Sequence, residues 1–474
     1  MLLKNLLPNI SSKFENIEVV DLTCDSRKVK NGYAFICING FNADGHRYAL
    51  QAEEAGAAVI IAEKPTGAKN EVIVEDTHLA YAVMSANYFG NPSKHFKLIG
   101  VTGTNGKTSI TYMLKAIIES KGFKTGVIGT IQNIIGDRCV EASNTTPDAY
   151  GLNALFAEMR DAGCDYVIME ASSHALDQKR IYGLDFEVAA FTNLTQDHLD
   201  YHKTMENYFM AKQKLFTMCK AAVINIDDEY GKRLAETVNC ECLTYAAEDR
   251  NSTYSANGIN MKPDGIEYEM VGDYTIKRMR LKTGGKFSVY NSLCAAVCAK
   301  KLGFTTDEIA AALAQMDGVK GRAEVVPTGK DYTIIIDYAH TPDGLENILS
   351  TFKELKKGRL VCLFGCGGDR DAKKRPIMGA IAAKLSDFVI VTSDNPRSEE
   401  PSAIISDILS GMKESKTSYK VIENRVDAIK YAVQNARKDD IIVLAGKGHE
   451  TYQILSTGKI HLDEREVIAE ALAE

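Results

Sequence analysis

A glycine-rich segment near residue 100 constrains the fold of this chain more than any other stretch. The letters VTGTNGKTS occupy residues 101–109, after an apolar run at 98–101 and before apolar residues at helical spacing over 110–118. A strand, a glycine-rich turn, Lys107-Thr108 and a helix predict a phosphate-binding loop, because backbone N–H groups, the helix N-terminus and the lysine charge all favour an anion. The general pattern has glycine where this chain has Val101, but the flanking strand and helix are those that the loop requires.

Length and charge narrow the class of protein. The chain has 474 residues, which predicts about three domains, and 25% charged residues, which is ordinary for globular proteins. The formal net charge of −7 gives no general basic surface, so nucleic acid is not expected as a main partner. A local basic pocket for a phosphorylated small molecule is compatible with this charge.

Cysteine usage and hydropathy predict the compartment. Eleven cysteines are scattered without a CxxC pair, and an odd, unpatterned set favours a reducing environment. The N-terminus lacks an apolar core followed by a small-residue cleavage site, and no apolar run approaches the roughly 18 residues of a membrane helix. We therefore expect a cytoplasmic protein without a membrane span.

Alternating apolar runs and helical patterns predict an α/β protein of three domains. Residues 1–95 are interpreted as a small α/β module and residues 96–320 as a central P-loop domain with a doubly wound, mainly parallel sheet. Residues 321–474 are interpreted as a second doubly wound, Rossmann-like α/β domain. Within the central domain, residues 240–285 carry turn signals at 257–258 and 263–265, and we interpret them as a surface excursion of small antiparallel strands.

Polar residues follow several predicted strands. In open parallel sheets, ligands bind at the carboxyl ends of the strands. Glu170 ends the strand predicted over 166–170 and His198 follows the one over 188–192, so both side chains could serve Mg²⁺. The strand predicted over 332–337 ends in an acid, and loops with glycine, aspartate or arginine follow the strands predicted over 360–365, 388–392 and 441–445. In one of them Arg397 follows a proline that stiffens its turn, and its planar guanidinium suits a carboxylate.

Ordered motifs extend over the whole chain. Besides TGTNGKT at 102–108 they are SNTTPD at 143–148, EASSH at 170–174, DHLDYH at 197–202, DYAHTP at 337–342, GCGGDRD at 365–371 and GKGHE at 446–450. Together they resemble the Mur ligases, the ATP-dependent amino-acid ligases of peptidoglycan synthesis. Within that family the likeness is to the ligases that add the third residue of the stem peptide.

The resemblance implies a reaction and its substrates. The γ-carboxylate of UDP-N-acetylmuramoyl-L-alanyl-D-glutamate attacks the γ-phosphate of ATP, and the amine of an amino acid then displaces phosphate from the acyl phosphate. The motif DNPR at 394–397 resembles that of versions that add meso-2,6-diaminopimelate, in which the arginine binds the far carboxylate of the amino acid. Mg²⁺ is the implied cofactor, ATP is a co-substrate, and a monomer is expected.

The resemblance also implies roles for individual residues. The catalytic set is Lys107, Glu170, His198 and Lys212. Thr108 and Glu170 would hold one Mg²⁺, and a second Mg²⁺ would have Lys212, as a carbamate, as a ligand and His198 near it. ATP would contact Gly103, Thr104, Asn105, Gly106, Lys107, Thr108, Ser109, Asn291, Arg322 and Asp337. The UDP-muramoyl dipeptide would contact Cys24, Ser26, Phe41, Asn42, Ala43, Asn144, Thr145, Thr146, Ser172, Gln178 and Arg180. Diaminopimelate would contact Arg370, Asp394, Asn395, Pro396, Arg397, Gly446 and Glu450.

Three alternatives stay open at this point. A version that adds L-lysine is separated by Arg397, because lysine lacks the far carboxylate that a guanidinium would bind. A ligase like folylpolyglutamate synthetase shares a related phosphate loop, but the N-terminal module and the DNPR loop disfavour it. A nucleotide-binding regulatory protein without ligase chemistry is disfavoured by the combination of Lys107, Glu170, His198 and Lys212.

Overall fold

The strands of this protein form three α/β sheets and one short hairpin in the part of the chain that the structure describes. The structure is a computed structural model that describes residues 1–40, 43–262 and 265–474. The α/β class predicted from the sequence is confirmed. The predicted contacts Phe41 and Asn42, and part of the turn signal at 263–265, lie outside the described residues. Among the helices of the described residues, none combines the length and hydropathy that a membrane span needs.

The N-terminal module is a parallel sheet of four strands over its described residues, in the order β1-β2-β3-β4. Its strands are β1 (Asp21–Thr23), β2 (Tyr33–Ile36), β3 (Val59–Ala62) and β4 (Glu71–Ile73), and its helices are α1 (Leu3–Leu6), α2 (Ala49–Glu54) and α3 (Thr77–Tyr88). Asp76 starts α3, because its carboxylate accepts the N–H of Leu79, one of the donors that a helix start leaves free. The apolar side chains of α1, α3 and the sheet share one core.

The central sheet has the order β15-β14-β13-β12-β11-β10-β5-β9-β6-β7-β8 over the described residues. Its strands are β5 (Lys97–Thr102), β6 (Thr125–Ile128), β7 (Gln132–Ile135), β8 (Arg138–Glu141), β9 (Tyr166–Glu170), β10 (Phe186–Phe191), β11 (Cys219–Asn225), β12 (Glu241–Ala246), β13 (Tyr254–Lys262), β14 (Gly265–Gly272) and β15 (Thr275–Leu281). Its helices are α4 (Lys107–Glu119), α5 (Ala149–Asp161), α6 (Ser173–Asp177), α7 (Leu199–His202), α8 (Met205–Gln213), α9 (Glu229–Ala235), α10 (Lys286–Lys301) and α11 (Thr306–Gln315). The strands from β6 to β13 in this order run parallel, which brings their carboxyl ends to one edge.

The glycine-rich segment lies between β5 and α4, as its sequence predicts. Apolar residues at helical spacing, Ile110, Leu114 and Ile117 among them, bury one face of α4 against the sheet. The turn ends at Gly106, whose φ of +89° is a conformation that residues with a Cβ rarely adopt. The loop therefore sits at the carboxyl edge of the sheet with the start of α4 directly behind it.

The prediction of a surface excursion at 240–285 is wrong. β12 and β13 extend the main sheet in parallel, and only β14 and β15 are antiparallel. Inward-facing residues such as Tyr245, Tyr268 and Met279 are buried in the same core as α4 and α10. Asn257-Gly258 is not a turn but part of β13, where the pairing with β14 shifts register. Glycine and asparagine mark bulges as well as turns, so the local letters could not separate the two.

The C-terminal sheet has the order β16-β17-β21-β18-β19-β20 over its described strands, and only the edge strand β16 is antiparallel. Its strands are β16 (Glu324–Val326), β17 (Thr333–Asp337), β18 (Leu360–Phe364), β19 (Phe388–Val391), β20 (Ser418–Val421) and β21 (Ile441–Ala445), and a separate hairpin joins β22 (Tyr452–Leu455) to β23 (Gly458–His461). The helices are α12 (Pro342–Leu355), α13 (Lys374–Leu385), α14 (Pro401–Ser410), α15 (Arg425–Gln434) and α16 (Glu464–Ala473). Helices pack on both faces, so the loops after β17, β18, β19 and β21 meet at one edge.

The buried position of the β13–β15 strands predicts a large stability effect at Tyr268. Its side chain is 1% exposed and its hydroxyl lies 2.9 Å from the Ser292 hydroxyl on α10. Tyr268→Ala removes a buried aromatic ring, so we expect the free energy of unfolding of the central domain to fall by about 3–5 kcal/mol. Urea unfolding followed by intrinsic fluorescence measures the loss.

The matched control is Tyr274→Ala at the tip of the same strands, where the side chain is fully exposed. Because it buries nothing, the expected change is within about 0.5 kcal/mol. Equal midpoints for the two variants would show that these strands do not belong to the main core.

Candidate active site

A large cleft joins the central sheet edge to the first loops of the C-terminal domain. Its volume of about 480 Å³ lies within the roughly 300–1,000 Å³ of pockets that bind small molecules. The predicted ATP contacts that line it are Thr104, Asn105, Gly106, Lys107, Thr108, Ser109, Asn291, Arg322 and Asp337. Glu170, Ser172, His198, Lys212 and Thr145 line it too, so residues from three predicted groups meet in one space.

The phosphate-binding loop packs tightly against the neighbouring strand end. Gly103 has a φ of +144°, and a Cβ there would lie 1.8 Å from the Thr192 hydroxyl, so only glycine fits. The Lys107 ammonium donates to the carbonyl oxygens of Gly103 and Thr104, each at 2.8 Å. Burial lowers the pKa of Lys107, while the nearby Glu170 carboxylate acts in the opposite direction. The Lys107 side chain is therefore held against the backbone of the loop, and a phosphate bound there would lie within its reach.

Glu170 is a buried carboxylate, 1% exposed, at the end of β9. Its oxygens accept from the Thr108 hydroxyl at 2.9 Å and from the backbone N–H and hydroxyl of Thr130, both also at 2.9 Å. None of the described residues forms a salt bridge with it. A buried carboxylate needs a positive partner, and a hydroxyl beside it supplies a second hard oxygen, so Thr108 and Glu170 fit a divalent cation such as Mg²⁺.

Lys212 and His198 lie on the other side of the loop. The Lys212 side chain is 1% exposed, and its ammonium donates to the Gly103 carbonyl at 2.8 Å. Burial first and then the charge of Lys107 lower the pKa of Lys212 well below its ordinary value, which favours a neutral amine. His198 adopts a φ of +54°, and burial lowers its pKa to about 3 although Asp197 opposes the shift. The imidazole is therefore neutral at physiological pH, as a metal ligand must be.

The C-terminal domain closes the cleft through direct contacts with the loop. An Arg322 guanidinium nitrogen donates to the Thr108 hydroxyl at 3.0 Å, and the Asn105 side-chain amide donates to the Asp343 carboxylate at 2.6 Å. Asp337 accepts the N–H groups of Ala323 and Ala339 at 2.6 Å and 2.7 Å. These carboxylates are held at the ends of β17 and α12, so the two domains share the wall of one site.

The residues predicted to contact the UDP-muramoyl dipeptide divide into two groups. Thr146 bridges the Glu170 carbonyl at 2.7 Å and the Ser172 N–H at 3.1 Å, and Arg180 donates to the Thr146 carbonyl at 2.9 Å and to Gln178 at 2.7 Å. Thr145 joins this network through Thr130. Burial raises the pKa of the Cys24 thiol, and the nearby Asp148 carboxylate raises it further. Ser26, Ala43 and Asn144 make no hydrogen bond to the network within the described ranges.

The residues predicted to contact diaminopimelate surround the loops after β18, β19 and β21. Asn395 donates to Glu450 at 2.9 Å, and a Cβ at Gly446 would lie 2.6 Å from an Asp394 oxygen. Arg397 adopts a φ of +55° next to Pro396, and its guanidinium donates to the Gly368 carbonyl at 2.8 Å. Burial and the neighbouring charge of Arg370 lower the pKa of Arg397.

The two arginines of this loop cluster, Arg370 and Arg397, lie next to each other. A Cβ at Gly367 would lie 2.9 Å from an Arg397 nitrogen and 3.9 Å from the Arg370 Cγ, so the two side chains flank the same glycine. Neither forms a salt bridge with another described residue. The carboxylates of Asp394, Glu450 and Asp369 lie near enough to act on Arg397 without forming a salt bridge with it. Two adjacent guanidinium groups that make no salt bridge with a described residue suit an anionic group of a ligand.

Comparison with known proteins decides the family. Family models match three parts of the chain: "Mur ligase family, catalytic domain" at 18–89, "Mur ligase middle domain" at 101–299 and "Mur ligase, glutamate ligase domain" at 321–448. A relative from Clostridium botulinum named UDP-N-acetylmuramoyl-L-alanyl-D-glutamate--2,6-diaminopimelate ligase is 47% identical over 96% of this chain and 96% of its own. This chain belongs to the Mur ligase family. The family predicted from the sequence motifs is confirmed.

Solved structures of Mur ligases share the fold along the whole chain. A structure named as a UDP-N-acetylmuramoyl-L-alanyl-D-glutamate--2,6-diaminopimelate ligase has 32% identity and a TM-score of 0.72, covering 100% of this chain and 99% of the other. A MurF ligase from Thermotoga maritima, solved in complex with ADP, has 18% identity and a TM-score of 0.64, covering 96% of this chain and 97% of the other. The second likeness concerns the fold alone.

Several residues of the site of this Mur ligase were missed by sequence reasoning. Thr130, which holds both Glu170 oxygens, lies in a short loop that follows β6 and has no distinctive pattern. Asp197 is buried between the two domains, with Lys374 at 3.9 Å and His340 at 4.0 Å. Asp197 and His340 belong to the motifs DHLDYH at 197–202 and DYAHTP at 337–342, and these motifs could have indicated that both residues lie at the site. Lys374 gave no such signal, because only the tertiary fold brings it to the cleft.

The contacts of Lys107 predict a specific loss of nucleotide binding. Lys107→Met removes the only charge that the loop itself contributes, and hydrogen bonds to charged groups are worth about 1.5–3 kcal/mol. We expect the Kd for ATP, measured by calorimetry with Mg²⁺ present, to rise by about 10-fold or more.

Lys115→Met is the matched control on the same helix. Lys115 pairs with Glu119 in a partly buried ion pair further along α4 and does not line the cleft. The Kd of this variant for ATP should stay within about 2-fold of the wild type, since Lys115 lies about two helical turns from the loop lysine. A similar loss in both variants would assign the effect to the helix rather than to the loop lysine.

Proposed function

We propose that this Mur ligase adds meso-2,6-diaminopimelate to UDP-N-acetylmuramoyl-L-alanyl-D-glutamate, with ATP hydrolysed to ADP and phosphate. The observation that carries the proposal is the pair of guanidinium groups, Arg370 and Arg397, that flank Gly367 and make no salt bridge with a described residue. They suit the far carboxylate of diaminopimelate, which L-lysine lacks. The name of the relative from Clostridium botulinum supports the same amino acid.

The phosphate-binding loop would carry the first step. The γ-carboxylate of the dipeptide attacks the γ-phosphate of ATP, and ADP leaves as the acyl phosphate forms. Both reactants are anions, so positioning and charge neutralisation matter more than covalent help from the protein. Lys107 supplies a positive charge at the loop, and Arg322 reaches the same place from the C-terminal domain. The ADP complex of the related MurF ligase supports nucleotide binding in this fold.

Mg²⁺ fits the donor set at the start of α4. Thr108 and Glu170 would hold one Mg²⁺, because they combine a hydroxyl with a buried carboxylate that makes no salt bridge with a described residue. Lys212 as a carbamate would be a ligand of a second Mg²⁺, with the neutral imidazole of His198 near it. When bound, the ion would neutralise phosphate charge that accumulates in the transition state. In the described part of the chain no group of three or more His, Cys, Asp and Glu residues forms a metal site by itself, so the lysine matters.

Lys212 would become a ligand by reaction with CO₂. Its neutral amine nitrogen forms a bond to the CO₂ carbon, a proton leaves to solvent, and the product is a carbamate whose single negative charge is shared by two oxygens. Burial favours the neutral amine that this reaction needs. The change converts a buried amine near Lys107 into an anionic oxygen donor, which hard cations prefer.

The second step would bring the amine from the C-terminal domain. Asn395, Glu450 and Asp394, with Gly446 and Pro396, would place the amino acid so that its free amine meets the acyl phosphate. The amine nitrogen bonds to the carbonyl carbon, phosphate leaves from the tetrahedral intermediate, and the amine proton passes to solvent. Thr145, Thr146, Ser172, Gln178 and Arg180 would hold the dipeptide, with Cys24, Ser26, Phe41, Asn42, Ala43 and Asn144 toward the uridine end.

The remaining alternatives differ in substrate or in class. An L-lysine-adding version would leave both guanidinium groups without the carboxylate that they suit. A ligase for folates would have no use for the DNPR loop, and a regulatory protein would not need the buried lysine beside the phosphate loop. Because the reaction consumes ATP, we place it in the cytoplasm, with small molecules as partners and the monomer as the working unit.

An amino-acid incorporation assay tests the proposed function. With ATP, Mg²⁺ and the UDP-muramoyl dipeptide, the wild type should join meso-diaminopimelate with a kcat/KM at least about 100-fold above that for L-lysine, since a site built to bind a polar group of the substrate discriminates strongly against an analogue that lacks it. Faster use of L-lysine would overturn the assignment of the amino acid, and no phosphate release with either would support the regulatory alternative.

Arg397→Ala provides the matched variant for this assay. We expect its kcat/KM for meso-diaminopimelate to fall by about 100-fold or more while the KM for ATP stays within about 2-fold. An unchanged apparent affinity for diaminopimelate would remove the role given to Arg397.

The carbamate is tested by isotope-labelled bicarbonate and carbon NMR of the native enzyme. Lys212 should give a carbamate signal that Lys212→Arg lacks. Lys214→Arg is the control. Lys214 lies only two residues after Lys212, but it is exposed and pairs with Asp177. A signal that survives in Lys212→Arg would place the carbamate elsewhere.

A further inference from the structure

A buried lysine lies beneath the loops that would bind the amino acid. The Lys447 side chain is 0% exposed. Its ammonium donates to a Glu450 carboxylate oxygen at 2.7 Å and to the Asn395 side-chain oxygen at 3.0 Å, and it lies 5.6 Å from the centre of the Tyr452 ring. Because the side chain has no exposed surface, it supports the residues of the pocket and does not itself face a ligand.

Lys447 determines which way the Asn395 amide points. The Asn395 oxygen accepts from Lys447 and also from the Ile454 N–H at 2.9 Å, while the nitrogen donates to Glu450 at 2.9 Å. Turning the amide over would place its NH₂ group against two donors, one of them a full positive charge. The orientation is therefore fixed, and one N–H of the Asn395 amide is left for a ligand.

The same contacts orient Glu450. Its Oε2 atom accepts both bonds, from Lys447 and from Asn395. Its Oε1 atom has no hydrogen bond to any described residue, and the side chain is 12% exposed. The loops after β19 and β21 thus place one N–H donor, from Asn395, and one carboxylate oxygen, from Glu450, next to each other.

This pair of groups complements a carbon atom that carries both an ammonium and a carboxylate. The ammonium would meet the free Glu450 oxygen, and the carboxylate would meet the Asn395 N–H with Arg397 beside it. A substrate side chain that ends in an ammonium alone would bind only the Glu450 oxygen and would leave the Asn395 N–H without an acceptor. Discrimination against a ligand that lacks one polar group is strongest when the site keeps its own groups fixed.

The charge of Lys447 also reaches Asp394. The Asp394 Oδ2 atom is buried without a hydrogen-bond partner among the described residues, and an Arg425 nitrogen lies 3.8 Å from it. Burial alone would raise the pKa of Asp394, but Lys447 and then Arg425 hold it below its ordinary value. Arg425 is itself paired at 2.8 Å with the buried Glu464, so its charge is shared. Lys447 thus donates hydrogen bonds to Asn395 and Glu450 and acts on Asp394 through its charge.

We propose that Lys447 is a positioning residue that sets the selectivity of this ligase for an amino acid with a zwitterionic far end, acting through Asn395 and Glu450. The inference rests on the proposed function, because it concerns the amino acid that the ligase joins. It goes beyond that function by assigning selectivity to a residue that touches no substrate.

Lys447→Met tests the inference, because methionine keeps much of the length and removes the charge. We expect kcat/KM for meso-diaminopimelate to fall by about 30-fold, mainly through KM, since the lost bonds are charge-assisted. The kcat/KM for L-lysine should change by less than about 3-fold, so the preference between the two amino acids falls about 10-fold or more. The KM for ATP should stay within about 2-fold, since the phosphate loop lies in the other domain.

Arg359→Met is the matched control for loss of a charged residue in the same domain. Arg359 pairs at 2.6 Å with the buried Asp440, but it precedes β18 and so lies at the opposite edge of the sheet. Its preference between the two amino acids should equal that of the wild type even where its melting temperature falls. If Lys447→Met does not fold, Lys447→Gln keeps a neutral donor and should show a smaller shift in the same direction.

The outcomes separate the two proposals. An unchanged preference in Lys447→Met or Lys447→Gln, or an equal loss for both amino acids, overturns the inference about Lys447 while the wild-type assay still supports the proposed function. A wild type that joins a different amino acid overturns the proposed function. The inference about Lys447 is then decided by the preference of the variants between that amino acid and its analogue without the far carboxylate.

Discussion

The buried carboxylate of Glu170 is the interaction on which the site depends. Three donors from Thr108 and Thr130 hold it, yet no cation among the described residues pairs with it. Burial of an unpaired charge is costly, so the fold keeps a position for a positive partner at the start of α4. The parallel sheet makes this arrangement possible, because it brings the end of β9 beside the loop that follows β5.

Two lysines beside the phosphate-binding loop are also buried close together. Lys107 and Lys212 both donate to the Gly103 carbonyl, so two lysines converge on one backbone oxygen. Two ammonium groups so close repel each other, and the burial of Lys212 adds to that cost. Loss of one positive charge relieves both costs. The local electrostatics thus favour a neutral or modified Lys212 before any substrate is considered.

The sequence predicted the parts of this protein that depend on local pattern. The strand, turn and helix around Lys107, the central strands ending at Glu170 and Phe191, and the loops after β18, β19 and β21 were all readable from apolar runs and turn residues. The strands at 240–285 were misjudged, because burial of Tyr245 and Tyr268 depends on pairing with β11 and packing on α10. Contacts such as Asn105 with Asp343, 238 residues apart, have no local signal at all. The proposed roles of the site residues came from motif resemblance, and geometry now shows which of them are neighbours.

The contact between Asn105 and Asp343 has a thermodynamic consequence. Asn105 belongs to the loop that would cradle phosphate, and its side chain holds the first turn of α12 in the other domain. Any nucleotide that favours this arrangement of the loop must favour the docked C-terminal domain by the same free energy, because linkage is reciprocal. Conversely, an amino acid that stabilises the docked domain would tighten the hold on the nucleotide without touching it. The hydrogen bond between Asn105 and Asp343 would thus couple nucleotide binding in the central domain to amino-acid binding in the C-terminal domain.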